Sequence, residues 1–295
     1  MTSALHFFSH RVPIHTFIGL ALIIIAWPVA WLSIQPYSYY TFLYLSLGYI
    51  LTVDGLNVAR HHSSPLSRSP FRFVLLFVLS APVWWLFEFL NGFTQNWHYL
   101  GGQVFGEQAD LIATLHFTTV IPAVFETAEL WGSAAWVRRA AHGRKAVVNR
   151  FLEVSAFILG WVSLACLMIN PSVSFSLIWM CVLLCLDPLN AWLGQPSLIR
   201  QIARGDWQNV LSLAAAGLTC GFFWEMWNYY SYPKWYYTVP HVSFLKIFEM
   251  PILGYLGYIP FAMELYAVYQ TVRWFVRPVA VLVGSRLENA DRQRT

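Results

Sequence analysis

Long apolar runs divide the sequence, and they limit its fold more than any other feature. An α-helix needs about 20 predominantly apolar residues to cross a bilayer. Runs close to that length lie at 14–34, 39–59, 71–93, 110–135, 151–169, 172–193, 207–228 and 251–275. Charged residues make up only 11% of the 295 residues, whereas soluble domains carry about 25%. The sequence therefore predicts an all-α polytopic membrane protein with eight transmembrane helices, and it excludes an ordinary soluble enzyme.

The basic residues predict how these helices are oriented. Sixteen of the 18 Lys and Arg residues fall before span 1, between spans 2 and 3, between spans 4 and 5, after span 6 or after span 8, and only Lys234 and Lys246 fall on the opposite side. Cytoplasmic loops carry an excess of Lys and Arg. We therefore expect a protein of the plasma (inner) membrane with both termini in the cytoplasm. This topology explains the net charge of +4 without a nucleic-acid partner.

Four landmarks in the first half of the chain recur in the same order in the second half. Asp54/Asn57, Glu88/Asn91, Trp97/Tyr99 and Pro122/Glu126 reappear, at a nearly constant offset, as Asp187/Asn190, Glu225/Asn228, Trp235/Tyr237 and Pro260/Glu264. This order and spacing indicate a tandem duplication of a four-helix unit. Because four is an even number, the two repeats are parallel, related by an axis along the membrane normal. We predict a first repeat at 1–138, a basic cytoplasmic linker at 139–150, a second repeat at 151–278 and a cytoplasmic tail at 279–295.

Acidic residues lie well within the predicted spans, away from the span ends, whereas basic residues do not. Seven of the 14 acids do so, namely Asp54, Glu88, Glu126, Glu129, Asp187, Glu225 and Glu264. A charge at the centre of a bilayer costs at least about 2.5–3.5 kcal/mol, so these carboxyl groups must be protonated, hydrogen-bonded, wetted or bound to a cation. A carboxylic acid that is neutral near pH 7 can donate a proton. For Asp54 and Asp187, hydrogen bonds between helices are an equally good explanation.

Aromatic residues surround these acids and suggest a site. Aromatic faces stabilise a cation, so acids beside them suit carbocation chemistry on a lipid-like isoprenoid or polyene. We predict that four catalytic acids, Glu88, Glu126, Glu225 and Glu264, line one aromatic cavity, with Glu225 and Glu264 as the working pair. The predicted substrate-binding residues are Asn91, Asn228, Trp85, Trp224, Trp97, Trp235, Tyr237, Tyr258, Asp54 and Asp187. We expect no cofactor. We also expect no metal ion, because Cys181 and Cys185, which share a helix face, have no nearby histidine ligands.

One motif order occurs twice and resembles a known family. Trp-x-Tyr in an outer loop is followed by Pro-x-x-x-Glu in the next helix, at Trp97/Tyr99 with Pro122/Glu126 and at Trp235/Tyr237 with Pro260/Glu264. In this order the chain resembles the membrane-integral lycopene cyclase domains, which are also small duplicated helical units. The resemblance implies proton-initiated, redox-neutral ring closure of a carotenoid end group, with Glu126 and Glu264 at the acid positions. That family's motif is closer to Pro-x-Glu-Glu, and its repeat has three helices instead of four.

Two other classes of function fit the same features. Parallel repeats with membrane acids at two depths are equally typical of a transporter or channel for protons, cations or small solutes. A non-enzymatic protein that binds lipid or supports assembly also fits. The enzyme hypothesis predicts an altered isoprenoid profile in cells, whereas the transporter hypothesis predicts altered uptake of an ion or solute.

Overall fold

The computed structural model describes the backbone of residues 12–292 and the side chains of residues 12–276. Some of the basic residues behind the predicted topology lie outside the described residues, namely Arg11, Arg294 and the side chains of Arg277, Arg286 and Arg292. The last helix continues as far as Arg292, so it includes most of the segment predicted as a tail at 279–295.

Helices make up most of the described chain. The first half contains α1 (Ile14–Trp31), α2 (Thr41–His61), α3 (Pro65–Arg68), α4 (Pro70–Thr94), α5 (Ala109–Phe117), α6 (Val120–Gly132) and α7 (Ala135–Arg139). The second half contains α8 (Arg150–Ile169), α9 (Pro171–Ser174), α10 (Cys181–Trp192), α11 (Leu198–Arg204), α12 (Gln208–Tyr229) and α13 (Tyr258–Arg292). Four short strands complete the fold: β1 (Trp97–Leu100), β2 (Lys234–Tyr237), β3 (Lys246–Ile247) and β4 (Met250–Pro251).

Many of these helices are suited to a membrane. Within the described residues, seven helical segments are long and apolar enough to cross one, and the bent pair Pro171–Trp179 and Cys181–Trp192 makes an eighth if it is counted as one span. Large apolar side chains such as Phe71, Phe151 and Ile169 are exposed on the outside of the protein. Extended exposed apolar surface is typical of a surface that contacts lipid. The chain is therefore a helical protein suited to membrane insertion.

The predicted span at 110–135 is interrupted between α5 and α6. Pro122 has no N–H group and cannot continue the ladder of helical hydrogen bonds. Just before it, the Ser80 hydroxyl of α4 donates to the Phe117 carbonyl at 2.5 Å and accepts from the Ile121 N–H at 3.0 Å. These two backbone groups would bond to each other in a continuous helix. Ser80 is therefore inserted into the ladder, and it satisfies both groups at the break.

The predicted span at 172–193 is also broken, with a bend of 43° ahead of α10. The first N–H groups of a helix have no partner within that helix. Here the Glu264 carboxylate of α13 accepts from the N–H groups of Val182 at 3.1 Å and Leu183 at 3.4 Å. These two bonds satisfy N–H groups that have no partner within α10, so Glu264 caps α10 inside the protein.

A two-stranded ribbon joins the two halves of the chain. β1 follows α4, β2 follows α12, and the strands pair in antiparallel fashion, with Trp97 opposite Tyr237 and Tyr99 opposite Trp235. Below this ribbon, α12 packs against α6, and α13 packs against both α10 and α12. Elements from both halves therefore meet around one central region.

Candidate functional site

A cavity of about 400 Å³ lies against the ribbon, and aromatic side chains dominate its wall. The wall contains seven tryptophans, namely Trp84, Trp85, Trp97, Trp179, Trp224, Trp227 and Trp235. Six of the predicted substrate-binding residues lie in it: Trp85, Trp97, Trp224, Trp235, Tyr237 and Tyr258. This size and apolar lining are typical of a pocket for a small organic ligand.

Glu88 of α4 is the one predicted catalytic glutamate that lies in this wall. Three donors converge on its Oε1 atom: Trp84 Nε1 at 2.8 Å, Trp97 Nε1 at 3.1 Å and the Tyr99 hydroxyl at 2.5 Å. All the hydrogen bonds that Glu88 accepts from the described residues go to this one oxygen. The side chain is half-buried, which leaves Oε2 available to a ligand.

Glu225 of α12 has a matching set of partners but is fully buried. Its Oε1 accepts from Trp235 Nε1 at 3.2 Å, from the Tyr237 hydroxyl at 2.6 Å and from the Tyr258 hydroxyl at 2.8 Å. Its Oε2 is buried with no donor among the described residues. The three donors lie in the cavity wall, whereas Glu225 itself lies behind it.

The ribbon tyrosines remain protonated and act as donors. Burial of each hydroxyl, followed by the negative charge of the adjacent glutamate, raises the pKa of Tyr99 and of Tyr237 well above the ordinary value of 10.0. For Tyr99 the ring is about half exposed, but its hydroxyl is enclosed against Glu88. Both phenols therefore hold their glutamates as neutral hydrogen-bond donors.

Asn91 and Asn228 fix the start of each strand and do not line the cavity. Asn228 donates to the Trp235 carbonyl and accepts from the Trp235 N–H, both at 2.8 Å. Asn91 donates to the Trp97 carbonyl at 2.8 Å and accepts from the Trp97 N–H at 3.3 Å. Each asparagine lies one turn after its glutamate and holds the tryptophan that donates to that glutamate. The Glu-x-x-Asn pairs are therefore positioning units.

Glu126 and Glu264 lie outside the cavity wall, which corrects the prediction that all four glutamates line one cavity. Glu264 turns away because it caps α10. Glu126 turns towards α2, where Asn57 Nδ2 donates to its Oε2 at 2.8 Å. Both carboxyl groups are fully buried.

Asp54 and Asp187 also lie outside the wall and cap short helices, in agreement with the structural alternative. Asp187 accepts from the N–H groups of Leu198 at 2.7 Å and Ile199 at 2.8 Å, at the start of α11. Asp54 accepts from the N–H of Leu66 in α3 at 3.1 Å. Buried carboxylates at helix N-termini are stabilised by such bonds.

A second set of titratable groups runs from His15 to Glu126. His15 Nε2 of α1 lies 2.9 Å from Asp54 Oδ2, and His15 is partly exposed. The carboxyl group of Asp54 is close enough to that of Glu126 for the two groups to interact electrostatically. Glu126 Oε1 is buried with no donor among the described residues. A proton shared between these two carboxyl groups would satisfy it.

Glu129 has a cationic partner, which the position of the basic residues outside the predicted spans did not indicate. Arg68 Nη1 and Nη2 donate to Glu129 Oε1 and Oε2, both at 2.6 Å. Arg68 comes from α3, outside the predicted spans, and its long side chain reaches the end of α6.

Several wall residues are absent from the predicted substrate-binding set, namely Trp84, Trp179, Trp227, Phe42, His116 and Phe261. Trp84 carries the clearest signal, because it lies one turn before Glu88 and therefore on the same helix face. Trp179 lies at the break ahead of α10, where no local pattern of residues indicates that the chain turns inward.

Comparison with known protein families, with curated proteins and with solved structures finds no match for this chain.

Proposed function

We propose that the chain is an integral membrane enzyme that cyclises or isomerises an apolar, isoprenoid-like lipid in the aromatic cavity, with Glu88 as the proton donor. The convergence of three donors on one oxygen of this wall residue is the observation that carries the proposal. In this proposal the catalytic acid is Glu88, in place of the predicted working pair, Glu225 and Glu264. Glu264 is occupied as a helix cap and Glu225 is sealed behind the wall.

The proposal includes the predicted topology. The bent pair ahead of α10 counts as the eighth span, both termini lie on the cytoplasmic side, and the halves are parallel repeats in the plasma (inner) membrane. The matching partners of Glu88 and Glu225 support the duplication, as does the ribbon. In the ribbon, Trp97 lies opposite Tyr237, and Tyr99 lies opposite Trp235. The tryptophan of each half is therefore paired with the tyrosine of the other half, as a twofold axis requires.

The arrangement of donors suggests where the catalytic proton resides. The three donors occupy Oε1, so the proton that Glu88 transfers is carried by Oε2. From there it is directed into the cavity, away from Trp84, Trp97 and Tyr99. The surrounding ring faces stabilise the positive charge that forms on the substrate.

The chemistry is redox-neutral. Glu88 transfers its Oε2 proton to one carbon of a C=C bond, which leaves a carboxylate and a carbocation. The electron pair of a second C=C bond attacks the cationic carbon and closes a ring. A neighbouring C–H bond then returns a proton to the Glu88 carboxylate and forms a new C=C bond. A cavity of about 400 Å³ suits the end group of a longer chain, whose remainder lies in the lipid.

Deuterium incorporation tests this proposal. The full chain is expressed in a host that accumulates acyclic polyenes, and the lipids are compared with those of cells without the protein. Each turnover in D₂O should yield an isomer of the substrate that carries one deuterium, because the acid exchanges with solvent. Glu88→Gln should lower the conversion by about 10²–10⁴-fold, the usual contribution of a general acid.

Glu225→Gln is the matched control, because Glu225 has equivalent partners but no access to the cavity. It should retain activity. Unchanged conversion by Glu88→Gln at normal expression would refute the role of Glu88, and the absence of any new or deuterated lipid with the unaltered protein would refute the enzyme proposal.

A proton-coupled or cation-coupled transporter is the second candidate, and the set His15, Asp54 and Glu126 favours it. A partly exposed imidazole next to two buried carboxyl groups is typical of a proton relay. In liposomes with an entrapped pH dye, the unaltered protein should then carry protons under an imposed gradient. Glu126→Gln should abolish the flux, whereas a Gln substitution at the exposed Glu107 should not. No flux above that of empty liposomes would exclude this candidate.

A further inference from the structure

A second cavity, of about 710 Å³, lies at the opposite end of the helices from the ribbon. Its wall is built from the end of α2, from α3, from the start of α4, from the end of α6, from α7, from the start of α12 and from part of α13. It shares no wall residue with the aromatic cavity. The functional proposal above does not use it.

The wall of this second cavity is positively charged. It contains Arg68, Arg72 and Arg138 against a single carboxylate, Glu129, so two positive charges are in excess. Glu129 is engaged by Arg68 in a two-pronged ion pair. The guanidinium of Arg72 has no ion pair or hydrogen bond with the described residues, and it is exposed. Arg138 contacts the Ser133 carbonyl and is also exposed.

Two long helices begin at this cavity, and α4 adds to its positive potential, whereas at the start of α12 the Asp206 carboxylate accepts from the Gln208 N–H at 3.0 Å. The N-terminal turns of α4 and α12 both contribute to the wall, and a helix N-terminus carries a partial positive charge. The inner part of the wall is apolar, with Phe73, Leu76 and Leu213. The cavity therefore combines a cationic rim with an apolar interior.

We propose that this cavity binds the phosphate or diphosphate group of an anionic amphiphile, whose apolar part lies against Phe73, Leu76 and Leu213. Arginine is the residue best suited to phosphate, since its planar guanidinium donates two parallel hydrogen bonds. Basic pockets between transmembrane helices are known to hold lipid phosphate groups. The apolar interior distinguishes this cavity from a surface patch that attracts any anion.

The test measures binding of dioctanoyl phosphatidic acid to the full chain in neutral detergent micelles by calorimetry, with dioctanoyl phosphatidylcholine as the reference lipid. Phosphatidic acid should bind and phosphatidylcholine should not. Arg72→Gln and Arg138→Gln should each weaken binding about fivefold, the usual contribution of one basic residue to anionic lipid. Arg139→Gln is the matched control, because Arg139 belongs to the same short helix but lies outside the wall.

Glu129→Gln gives a test of opposite sign. It removes the one negative charge and releases Arg68, so binding of phosphatidic acid should become about fivefold tighter. A gain of affinity cannot result from misfolding. Inorganic pyrophosphate distinguishes the source of the phosphate group. Binding of the lipid alone supports the proposal, whereas pyrophosphate that binds as tightly as phosphatidic acid would show a soluble ligand and would contradict an amphiphile.

Two other results would also overturn the proposal. One is equal weakening by Arg139→Gln and Arg72→Gln, which would show that only the general surface charge matters. The other is phosphatidic acid binding no tighter than phosphatidylcholine while pyrophosphate also fails to bind.

Discussion

The capping role of Glu264 leads to a prediction that separates it from a catalytic acid. Glu264→Met keeps a chain of similar length but removes the acceptor for the N–H groups of Val182 and Leu183. Each buried donor left without a partner costs about 1–3 kcal/mol, so the two together should lower the free energy of unfolding by about 2–6 kcal/mol. Glu264→Gln retains a carbonyl oxygen. It should lose only the extra strength of charged hydrogen bonds, about 1 kcal/mol.

The free energy of unfolding would be measured by SDS titration of the purified protein in mixed micelles. Glu107→Met, at an exposed position, controls for the loss of one carboxylate and should have no measurable effect. If Glu264 is a cap, the Gln variant also keeps its activity towards the lipid. Equal destabilisation by Gln and Met, or a stable Gln variant without activity, would refute the capping interpretation.

Three further substitutions test the packing and the positioning contacts. Gly217→Ala would place its Cβ 2.1 Å from the Tyr258 carbonyl oxygen and should lower the free energy of unfolding by about 1–3 kcal/mol. Gly92→Ala is the control, because nothing lies within 4 Å of its Cβ, and it should raise the free energy of unfolding by about 0.5–1 kcal/mol. Similar values for the two variants would contradict the close approach of α12 and α13. Ser80→Ala leaves two backbone groups unsatisfied at the break before α6 and should cost about 2–6 kcal/mol, about 1–3 kcal/mol for each group, so a neutral result would argue against its insertion. Asn228→Ala should speed hydrogen exchange at the amides of β2, and unchanged protection there would refute its anchoring role.

Much of the fold could be predicted from the sequence, because the length and apolarity of a helix in lipid are local properties. The breaks could not. Pro122 marks one of them, but a proline alone does not show whether a helix ends or only bends. The outcome depends on Ser80, which belongs to α4, and nothing near Pro122 indicates that contact. The break ahead of α10 similarly depends on Glu264, which belongs to a different helix.

The candidate site could be predicted in its composition but not in its geometry. Eight residues hold the two glutamates or their tryptophans, and the repeated Glu-x-x-Asn and Trp-x-Tyr motifs contain all of them except Trp84 and Tyr258. The spacing alone did not show that each tryptophan donates to the preceding glutamate, because the intervening turn sets that direction. The spacing also did not show whether a buried acid binds a ligand or caps a helix N-terminus, as Asp187 does.

The surroundings of Glu88 show why one glutamate faces the cavity. Its third donor, Trp84, comes from its own helix, one turn earlier. The neighbouring helix α6 begins with Val120, which also lies in the cavity wall and is small and apolar. Glu88 is half-buried, and its Oε2 accepts no hydrogen bond from the described residues. The carboxyl group is therefore fixed through Oε1 while its other oxygen stays accessible.

Under the proposed duplication, the large residue and the small residue at these two positions, Trp84 and Val120 in the first half, change places in the second half. Gly221 precedes Glu225 by one turn, as Trp84 precedes Glu88, and Tyr258 stands two positions before Pro260, as Val120 stands before Pro122. The large ring therefore comes from the neighbouring helix in this half. A Cβ at position 221 would lie 2.4 Å from the Tyr258 ring, so the ring fits only because this residue is glycine. In that place Tyr258 donates its hydroxyl to the second-half glutamate and covers it. These two positions therefore differ between the copy whose glutamate lies in the cavity wall and the copy whose glutamate is buried behind it.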